Sequence, residues 1–276
     1  MVLNFLGDYI MKLKMAVVGK DVSKSLSPVM HKFILDRLNI ECVYDKVSID
    51  TDLFDSRFEE ILEEYDTLNV TIPYKLSCMK FLDYIKDDAK TFKSVNTIKC
   101  KTKEGFNTDG MGFMLMLEIN NVDVLNKMLL VLGTGGVGRS VIKKLIDAKG
   151  IVYAYDLNKD SLDNVYNEFP EFTKLYELED ASYDIIINCT GVGMHKTEGK
   201  SPIGSSLIEK ASTLVDLIYE PKESEFLRLG RINGKKTING LAMLFYQAYY
   251  ADCYFLDIKM DRNFALKLYL EFEKLN

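Results

Sequence analysis

Residues 128–138 read Met-Leu-Leu-Val-Leu-Gly-Thr-Gly-Gly-Val-Gly. The first five form an apolar run of the kind that makes a buried parallel strand. Gly133, Gly135 and Gly138 then match the pattern G-x-G-x-x-G. In that pattern the first glycine permits a tight turn, the second lets backbone approach a pyrophosphate, and the third lets helix and strand pack closely. With a helix predicted next and a second strand over 151–155, this order predicts a parallel sheet that binds a dinucleotide.

The turn and the end of the second strand supply the candidate cofactor contacts. Backbone N–H groups and the positive end of a helix can hold phosphates. The predicted contacts of the turn are Gly133, Thr134, Gly135, Gly136 and Val137. Asp156 lies 23 positions after Gly133 (156 − 133), close to the ~20 at which an acidic residue binds the ribose hydroxyls.

Asp156 also bears on which dinucleotide is bound. A carboxylate accepts hydrogen bonds from the 2′- and 3′-hydroxyls but repels a 2′-phosphate, so Asp156 favours NAD over NADP, with Lys159 able to offset part of the charge. The alternative is that Asp156 simply caps the next helix, which is a common use of aspartate.

Apolar strands alternate with helical patterns along the whole chain, which is typical of an α/β protein. Strands are predicted at 14–19, 42–49, 68–71, 95–100, 128–132, 151–155, 184–189 and 213–217. Helices are predicted at 28–38, 52–64, 75–84, 109–120, 240–257 and 261–274, with a hairpin turn at 101–105. Because the strand pattern restarts after helix 109–120, a domain boundary is expected there.

Composition narrows the classes of function. The 276 residues suit two domains of roughly 150 residues or one large one. The chain is 47% hydrophobic and 28% charged, an ordinary globular composition that excludes disordered, collagenous and coiled-coil proteins. Its net charge is −6 and its basic residues are scattered, which argues against nucleic acid as a partner. The apolar stretch 241–258 contains Gln247, Asp252 and Asp257, so a buried helix is predicted rather than a membrane span.

Cysteine and histidine usage argues against metal and disulfide chemistry. The five cysteines have wide, irregular spacing, and the two histidines, His31 and His195, lie far apart. We therefore expect neither a metal site nor a disulfide framework, and we expect a reducing cytoplasmic location. The N-terminus lacks the basic start of a signal peptide, and residues 1–10 are expected to be a short extension ahead of Met11. The sequence does not distinguish a monomer from a homodimer.

Polar segments stand beside the apolar strands of the first half. Ser25 and Ser27 precede a helix that has Pro28 in its first turn, so Ser27 is predicted to be the N-cap. Lys75 leaves the end of a strand through Pro73, at the carboxyl edge where α/β proteins bind ligands. Two further segments are Ser94-Val95-Asn96-Thr97 and Asn107-Thr108-Asp109-Gly110. Singly these are a helix cap and solvated side chains; together they would make a small polar pocket.

Together these segments resemble the shikimate dehydrogenase family, whose signatures occur here in order. They are S-x-S-P at 25–28, N-V-T-x-P-[FY]-K at 69–75, V-N-T at 95–97, N-T-D-G at 107–110, G-x-G-G at 133–136, N-[AC]-T at 188–190 and G-L-x-M-L-x-x-Q at 240–247. The resemblance covers nearly the whole chain beyond residue 13. Each motif is modest by itself, and seven in register are highly specific.

The resemblance implies both an architecture and a reaction. The architecture is a discontinuous α/β substrate domain, residues 11–110 and 240–276, into which a Rossmann-type parallel-sheet domain, residues 111–239, is inserted. The reaction is the reversible NAD(P)H-dependent reduction of 3-dehydroshikimate to shikimate, which serves chorismate and aromatic amino-acid synthesis. The cofactor that the family implies is NADP.

The resemblance also implies roles for individual residues. Ser25 and Ser27 would bind the substrate carboxylate, Thr71, Asn96, Asp109 and Gln247 would hold the ring hydroxyls, and Tyr219 would lie near the substrate. Lys75 and Asp109 would be the catalytic pair, Leu217 would contact nicotinamide, and Gly240 would let backbone approach the cofactor. The chemistry agrees, because a cationic lysine can stabilise charge on a ketone oxygen and donate the proton.

Three places depart from the family pattern. Lys24 stands where the family often has histidine, Phe92-Lys93-Ser94 replaces a tight glycine turn, and Asp156-Leu157-Asn158 replaces a phosphate-binding N-R-T segment. The third departure puts the NADP preference in question.

Three other functions remain open from the sequence. An NAD-dependent quinate/shikimate dehydrogenase would suit Asp156, although the two serines favour shikimate. A non-catalytic dinucleotide-binding sensor would be expected to lack Lys75 or Asp109, and both are present. An interaction scaffold would use the apolar face of 241–258, which a buried helix explains more simply.

Overall fold

The computed structural model describes residues 12–275, apart from the side chain of Asp87. The expectation about residues 1–10 lies outside this range. The strands are β1 (Leu13–Gly19), β2 (Cys42–Ser48), β3 (Thr67–Val70), β4 (Tyr84–Ile85), β5 (Thr97–Lys99), β6 (Glu104–Phe106), β7 (Met128–Leu132), β8 (Ile151–Tyr155), β9 (Thr173–Leu175), β10 (Ile185–Asn188), β11 (Thr213–Asp216) and β12 (Lys236–Ile238). The helices are α1 (Ser27–Arg37), α2 (Phe54–Glu64), α3 (Asp87–Phe92), α4 (Asp109–Ile119), α5 (Gly136–Asp147), α6 (Lys159–Glu168), α7 (Ser205–Glu209), α8 (Glu225–Ile232), α9 (Leu241–Phe255) and α10 (Arg262–Leu275).

The chain divides into two compact units. The first runs to Thr108 and resumes at Ala248, and the second is Asp109–Gln247. The first division precedes α4, and the second falls within α9. The boundaries expected from the sequence, near 110 and 240, therefore differ from these divisions by a few residues.

The first unit contains a mixed sheet in the order β2-β1-β3-β5-β6-β4, with β1 parallel to both of its neighbours and β5 antiparallel to β3 and β6. Its central strand β1 is buried on both faces. Ala16 and Val18 pack in the cluster formed with α2, and Met15 packs with Leu35 of α1 and Ala251 of α9. Two-sided burial explains why residues 15–18 of β1 form a continuous apolar run rather than an alternating one.

The second unit contains six parallel strands in the order β12-β11-β10-β7-β8-β9. Counted outward from β7, this is the doubly wound order, in which the chain reverses direction between β7 and β10 and ligands bind at the carboxyl ends of those strands. Helices α7 and α8 supply Leu207, Ile208 and Phe226 to the core against Leu130 and Ile186. The predicted α/β class with a Rossmann-type sheet is confirmed.

One predicted helix is wrong. Residues 75–84 form a turn, a 3₁₀ helix over Ser77–Phe81 and then β4, with the unpredicted helix α3 following. The carbonyl of Lys75 accepts its hydrogen bond from the Val95 N–H at 2.7 Å. That tertiary bond takes the carbonyl that an α-helix would have paired within its own turn.

The other differences are short edge strands, and the helix over 241–258 is confirmed in outline. Strands β9 and β12 were not predicted; each has three residues and lies at an end of the second sheet. Such strands are too short to show a period in the sequence. Helix α9 has 15 residues, and none of the helices in residues 12–275 is long and apolar enough to cross a bilayer.

Candidate functional site

The glycine turn after β7 has a different physical reason for each of its glycines. Gly133 has a φ of +92°, a left-handed conformation that favours glycine. A Cβ on Gly138 would lie 2.1 Å from the Gly133 carbonyl oxygen, so α5 can begin this close to β7 only without a side chain there. A Cβ on Gly135, the N-cap of α5, would meet nothing within 4 Å. The second glycine thus leaves its backbone open to a ligand at a helix N-terminus.

Asp156 holds this turn in place. One carboxylate oxygen accepts hydrogen bonds from the backbone N–H and the hydroxyl of Thr134, at 2.7 and 2.8 Å, and the other accepts from the Asn158 N–H at 2.8 Å. The N-cap of α6 is Asn158, whose side chain accepts from the Ser161 N–H at 3.1 Å. The alternative that Asp156 caps this helix is therefore wrong, because the flanking asparagine takes that place.

A buried polar network spans the carboxyl ends of β10 and β11. Asn188 donates to a carboxylate oxygen of Asp216 at 3.0 Å and accepts from the Thr190 backbone and hydroxyl at 3.0 and 2.6 Å. Asp216 also accepts from the Ile218 N–H at 3.0 Å and from the Ser224 hydroxyl. The network orients the segment after β11 that carries Leu217 and Tyr219. The asparagine and threonine of the N-[AC]-T motif are therefore explained as supports of that segment.

The pKa of Asp216 is raised to about 6, chiefly by burial, with the hydrogen bonds from Ser224, Ile218 and Asn188 lowering it in part. The folded-state pKa thus exceeds the ordinary 3.8. In this range the folded protein keeps the proton while the unfolded chain has lost it. The free energy of unfolding should therefore fall as the pH rises from about 4 to about 6. Two pKa units correspond to about 3 kcal/mol.

We expect Asp216→Asn to remove this pH dependence. The amide keeps an acceptor for Asn188 and Ile218 and can donate to Ser224. Urea unfolding of both proteins at pH 4 to 7 measures the effect. The wild type should lose about 2 kcal/mol relative to the variant as the pH rises from 4 to 6. Parallel profiles would contradict the assignment.

Two close approaches of backbone shape the rest of the second unit. A Cβ on Gly240 would lie 2.1 Å from the carbonyl oxygen of Leu217, so this glycine lets the chain before α9 pass directly beside the segment after β11. A Cβ on Gly112 of α4 would lie 2.8 Å from the Gln247 nitrogen. Helices α4 and α9 therefore cross closely, and the second unit holds both Asp109 and Gln247, each largely buried.

In the first unit the two serines of S-x-S-P lie together, but Ser27 is not the N-cap. Helix α1 begins at Ser27 with Leu26 at the N-cap, and no side chain caps it. The Ser25 hydroxyl donates to the Ser27 hydroxyl oxygen at 3.1 Å and accepts from the Ser27 N–H at 3.2 Å. The Ser27 hydroxyl is thus engaged with its neighbours rather than with its own helix, and two hydroxyl groups are presented as a pair.

The turn after β3 is anchored beside Lys75. The Thr71 N–H donates to the Val18 carbonyl at 2.8 Å, which keeps the chain on the sheet as far as Thr71. Tyr74 is buried and stacks on Phe54 with ring centroids 4.0 Å apart. Lys75 itself stays partly exposed, and its backbone is held by the bond to Val95.

Two polar motifs of the first unit join through Asn96. Its side-chain oxygen accepts from the Thr108 N–H and the Thr97 hydroxyl, both at 2.9 Å, and its amide donates to the Thr108 hydroxyl at 3.0 Å. Asn107 donates to the Ser94 carbonyl at 2.9 Å. All these residues are buried. The bonds fix the chain at Thr108, the residue before Asp109.

Known proteins are similar to this chain over most of its length. Residues 17–98 match the family described as "Shikimate dehydrogenase substrate binding domain". The chain is 34% identical over 262 residues to the shikimate dehydrogenase (NADP(+)) of Clostridium beijerinckii, covering 93% of this chain and 97% of that protein. The chain belongs to the shikimate dehydrogenase family.

Other relatives extend the likeness to whole structures. The shikimate dehydrogenase (NADP(+)) of Caldicellulosiruptor bescii is 33% identical, over 95% of this chain and 96% of its own. The crystal structure of shikimate dehydrogenase 1 from Peptoclostridium difficile matches with a TM-score of 0.86 and 36% identity, over 94% and 97% of the two chains. That of the Thermus thermophilus enzyme with NADP(H) and shikimate matches with a TM-score of 0.84 and 30% identity, over 93% and 98%.

The predicted site residues are distributed over both units of the chain. The first unit holds Ser25, Ser27, Thr71, Lys75 and Asn96, and the second holds Asp109, Leu217, Tyr219, Gly240, Gln247 and all the predicted contacts around the glycine turn. Within the first unit, Ser25 contacts Ser27 and Asn96 is hydrogen-bonded to Thr108. Within the second unit, the helices that carry Asp109 and Gln247 cross closely. Among residues 12–275 no cluster of His, Cys, Asp or Glu side chains could hold a metal ion.

Sequence reasoning missed several polar residues that support the site. Asp216 could have been noticed as an aspartate ending an apolar strand, and Asn69 as part of its motif. Tyr44, whose hydroxyl donates to the Asn69 side chain at 2.7 Å, carried no signal, because an isolated tyrosine in an apolar segment is ordinary core composition.

Proposed function

We propose that this chain catalyses the reversible reduction of 3-dehydroshikimate to shikimate with NADP as its cofactor. The observation that carries the proposal is the position of Lys75. The chain places this lysine at the carboxyl edge of the first sheet, beside a buried tyrosine that anchors the turn. The same unit holds the serine pair and Asn96.

The proposed chemistry assigns each residue a separate task. The glycine turn would hold the nicotinamide dinucleotide, which in its reduced form would supply the hydride for the ketone carbon. Lys75 stabilises the negative charge that develops on the ketone oxygen and donates a proton to it. Asp109 is the second proposed catalytic residue and accepts a hydrogen bond from the neighbouring ring hydroxyl.

Substrate recognition is proposed to rest on the polar motifs. The paired hydroxyls of Ser25 and Ser27, with oxygens 3.1 Å apart, suit the two oxygens of one carboxylate. The residues proposed to hold the ring hydroxyls are Thr71, Asn96, Asp109 and Gln247. Tyr219 is proposed to lie near the ring.

The cofactor proposal replaces the preference for NAD that Asp156 suggested from the sequence. Both oxygens of this carboxylate accept hydrogen bonds from Thr134 and Asn158, which supports a role in holding the glycine turn. Lys159, the first residue of α6, is exposed and can attract a 2′-phosphate together with the helix N-terminus. The relatives named NADP(+) enzymes support this choice.

We propose that the substrate domain is residues 11–110 with 240–276 and that the cofactor domain is residues 111–239. The strand order of the second unit supports its role in dinucleotide binding. The five cysteines are free thiols, which supports the further proposal of a cytoplasmic location.

The test is oxidation of shikimate by the purified protein, followed by the absorbance of reduced nicotinamide. NADP and NAD are compared, and quinate is the second substrate. We expect turnover with shikimate and NADP, with kcat/KM at least about tenfold lower for NAD, a difference of ~1.4 kcal/mol. Quinate should react at least about tenfold more slowly, as one extra hydroxyl allows.

Lys159→Ala is the matched variant for the cofactor and should reduce the preference for NADP. A preference for NAD would instead indicate that Asp156 binds the ribose hydroxyls. Binding of dinucleotide without turnover of either substrate would favour the sensor.

A further inference from the structure

The loop that follows β10 lies against the glycine turn. A Cβ added to Gly133 would stand 2.9 Å from Cγ2 of Thr190 and 3.3 Å from the carbonyl oxygen of Cys189. The chain after β10 therefore runs along the carboxyl edge of the second sheet beside β7. This is the point of reversal at which doubly wound sheets bind their ligands, so residues 191–197 lie at one wall of that crevice.

The side chain of Thr197 closes this loop on itself. Its hydroxyl donates to the Gly191 carbonyl at 2.8 Å and to the Met194 carbonyl at 2.9 Å. The same hydroxyl oxygen accepts from the Gly193 N–H at 3.0 Å. A hydroxyl has one proton, so the two carbonyls share it. One partly buried side chain thereby holds three backbone positions of the loop.

The backbone of the loop does not favour this conformation unaided. His195 has a φ of +49°, a left-handed conformation that is costly for a residue with a Cβ. A second hydroxyl holds the start of the loop, because the side chain of Thr190 accepts from the Val192 N–H at 3.1 Å. The shape of the loop therefore depends on hydrogen bonds from its threonine side chains.

Gly191 leaves the backbone of the loop open. It is exposed, and a Cβ added to it would meet nothing within 4 Å, as is also true of Gly135 in the glycine turn. Neither packing nor a left-handed φ requires glycine at this position. Close approach of a ligand to the main chain is a further use of glycine, and it fits an exposed position at this edge of the sheet.

The strand order decides which end of a dinucleotide lies here. A dinucleotide extends to both sides of the turn that holds its pyrophosphate. Lys159, proposed to attract the 2′-phosphate, follows β8 on one side of β7, and β10 lies on the other side. Leu217, which the family resemblance places at the nicotinamide, follows β11, the next strand beyond β10. The nicotinamide half is therefore the half that reaches this loop.

We propose that Thr197 is a positioning residue for the nicotinamide half of NADP, and that this half of the cofactor approaches the Gly191 backbone, which Thr197 holds. The inference rests on the proposed function, because it assumes that the second unit binds NADP across its glycine turn. The bonds of Thr197 shape the loop before the cofactor arrives, so less ordering entropy is lost on binding.

Thr197→Val tests the hydroxyl, because valine keeps the branched shape and removes all three hydrogen bonds. We expect the dissociation constant of NADP, measured by titration calorimetry, to rise about tenfold. Adenosine 2′,5′-bisphosphate carries the adenosine half and the 2′-phosphate without nicotinamide, and its dissociation constant should stay within about twofold. Thr197→Ser restores the hydroxyl and should restore the binding of NADP.

Two further variants give the controls. Ser201→Ala removes a hydroxyl that donates to the Ile203 carbonyl at 2.8 Å, just beyond the loop, and should leave the binding of both probes unchanged. Lys159→Ala should weaken both probes, since each carries the 2′-phosphate. If Thr197→Val also weakened both probes, Thr197 would be a support of the whole unit and the proposal would be overturned. Unchanged binding of NADP by Thr197→Val would overturn it as well.

Gly191→Ala tests the close approach itself. A methyl group there would meet no protein atom within 4 Å, so the variant should be as stable in urea as the wild type. Binding of NADP should weaken about tenfold while the bisphosphate binds as before. Unchanged binding of NADP would overturn the contact with Gly191.

The same measurements separate this inference from the proposed function. A wild type that binds neither NADP nor the bisphosphate would overturn the proposed cofactor site and this inference with it. A wild type that binds NADP without oxidising shikimate would overturn the proposed reaction alone. A wild type that oxidises shikimate, with NADP binding unaffected in Thr197→Val and Gly191→Ala, overturns only this inference.

Discussion

Lys75→Ala is expected to lower kcat for shikimate oxidation by about 10²–10⁴-fold, the usual contribution of a general acid or base, while KM for shikimate stays within a few-fold. The reason is that the ammonium group acts on charge that develops only as the reaction proceeds, so its loss weakens the transition state more than the bound substrate. Steady-state kinetics over a range of shikimate concentrations separate the two constants.

The variant should keep its fold, because backbone and aromatic contacts of this turn remain in place. The Lys75 backbone is held by Val95, and the turn is anchored by the stacking of Tyr74 on Phe54. Lys80→Ala is the control: this nearby lysine is exposed and pairs with Asp55, a surface ion pair of about 0–1 kcal/mol. A Lys75→Ala enzyme with the kcat of the wild type would refute the catalytic assignment.

Gly138→Ala is expected to destabilise the second unit by about 3 kcal/mol or more, at the upper end of overpacking effects. The added methyl group would stand 2.1 Å from the Gly133 carbonyl oxygen, which is main chain and cannot turn aside. This cost outweighs the gain of about 1 kcal/mol that alanine brings to a helix interior. Urea unfolding measures the loss, and dinucleotide binding should be lost with it.

Gly135→Ala separates the fold of this turn from its proposed binding of dinucleotide. Because a Cβ there meets nothing within 4 Å, the variant should lose no more than the ~1 kcal/mol of a weaker N-cap. If a pyrophosphate approaches the Gly135 backbone, KM for NADP should nevertheless rise about tenfold, equal to ~1.4 kcal/mol. A stable variant with unchanged KM for NADP would remove this glycine from the cofactor site.

Much of the fold could be predicted because its signals are local. The run 128–138 contains its own strand, turn and helix start, and the structure places β7, the positive φ of Gly133 and the start of α5 within it. The helix expected at 75–84 was wrong because the carbonyl of Lys75 bonds to Val95, 20 residues further on (95 − 75). No periodicity in the sequence reports such a partner.

The candidate site shows the same division. The serine pair, the lysine after β3 and the glycine turn were visible because each lies within a few consecutive residues. The use of each side chain was less visible: Ser27 was expected to cap α1, and Asp156 to cap α6 or bind ribose. In the structure Ser27 bonds to Ser25, and Asp156 bonds to Thr134 and Asn158.

The sequence by itself determined the α/β class, the glycine turn and the family, since these depend on residue types at short, fixed spacings. Only the tertiary structure decided which polar side chains meet. His31 and Asp252 are separated by 221 positions and meet because α1 and α9 pack on the same face of β1. Their pairing depends on how the helices pack on the sheet. The hydrophobic burial that selects this packing is non-directional, so it leaves no motif in the sequence.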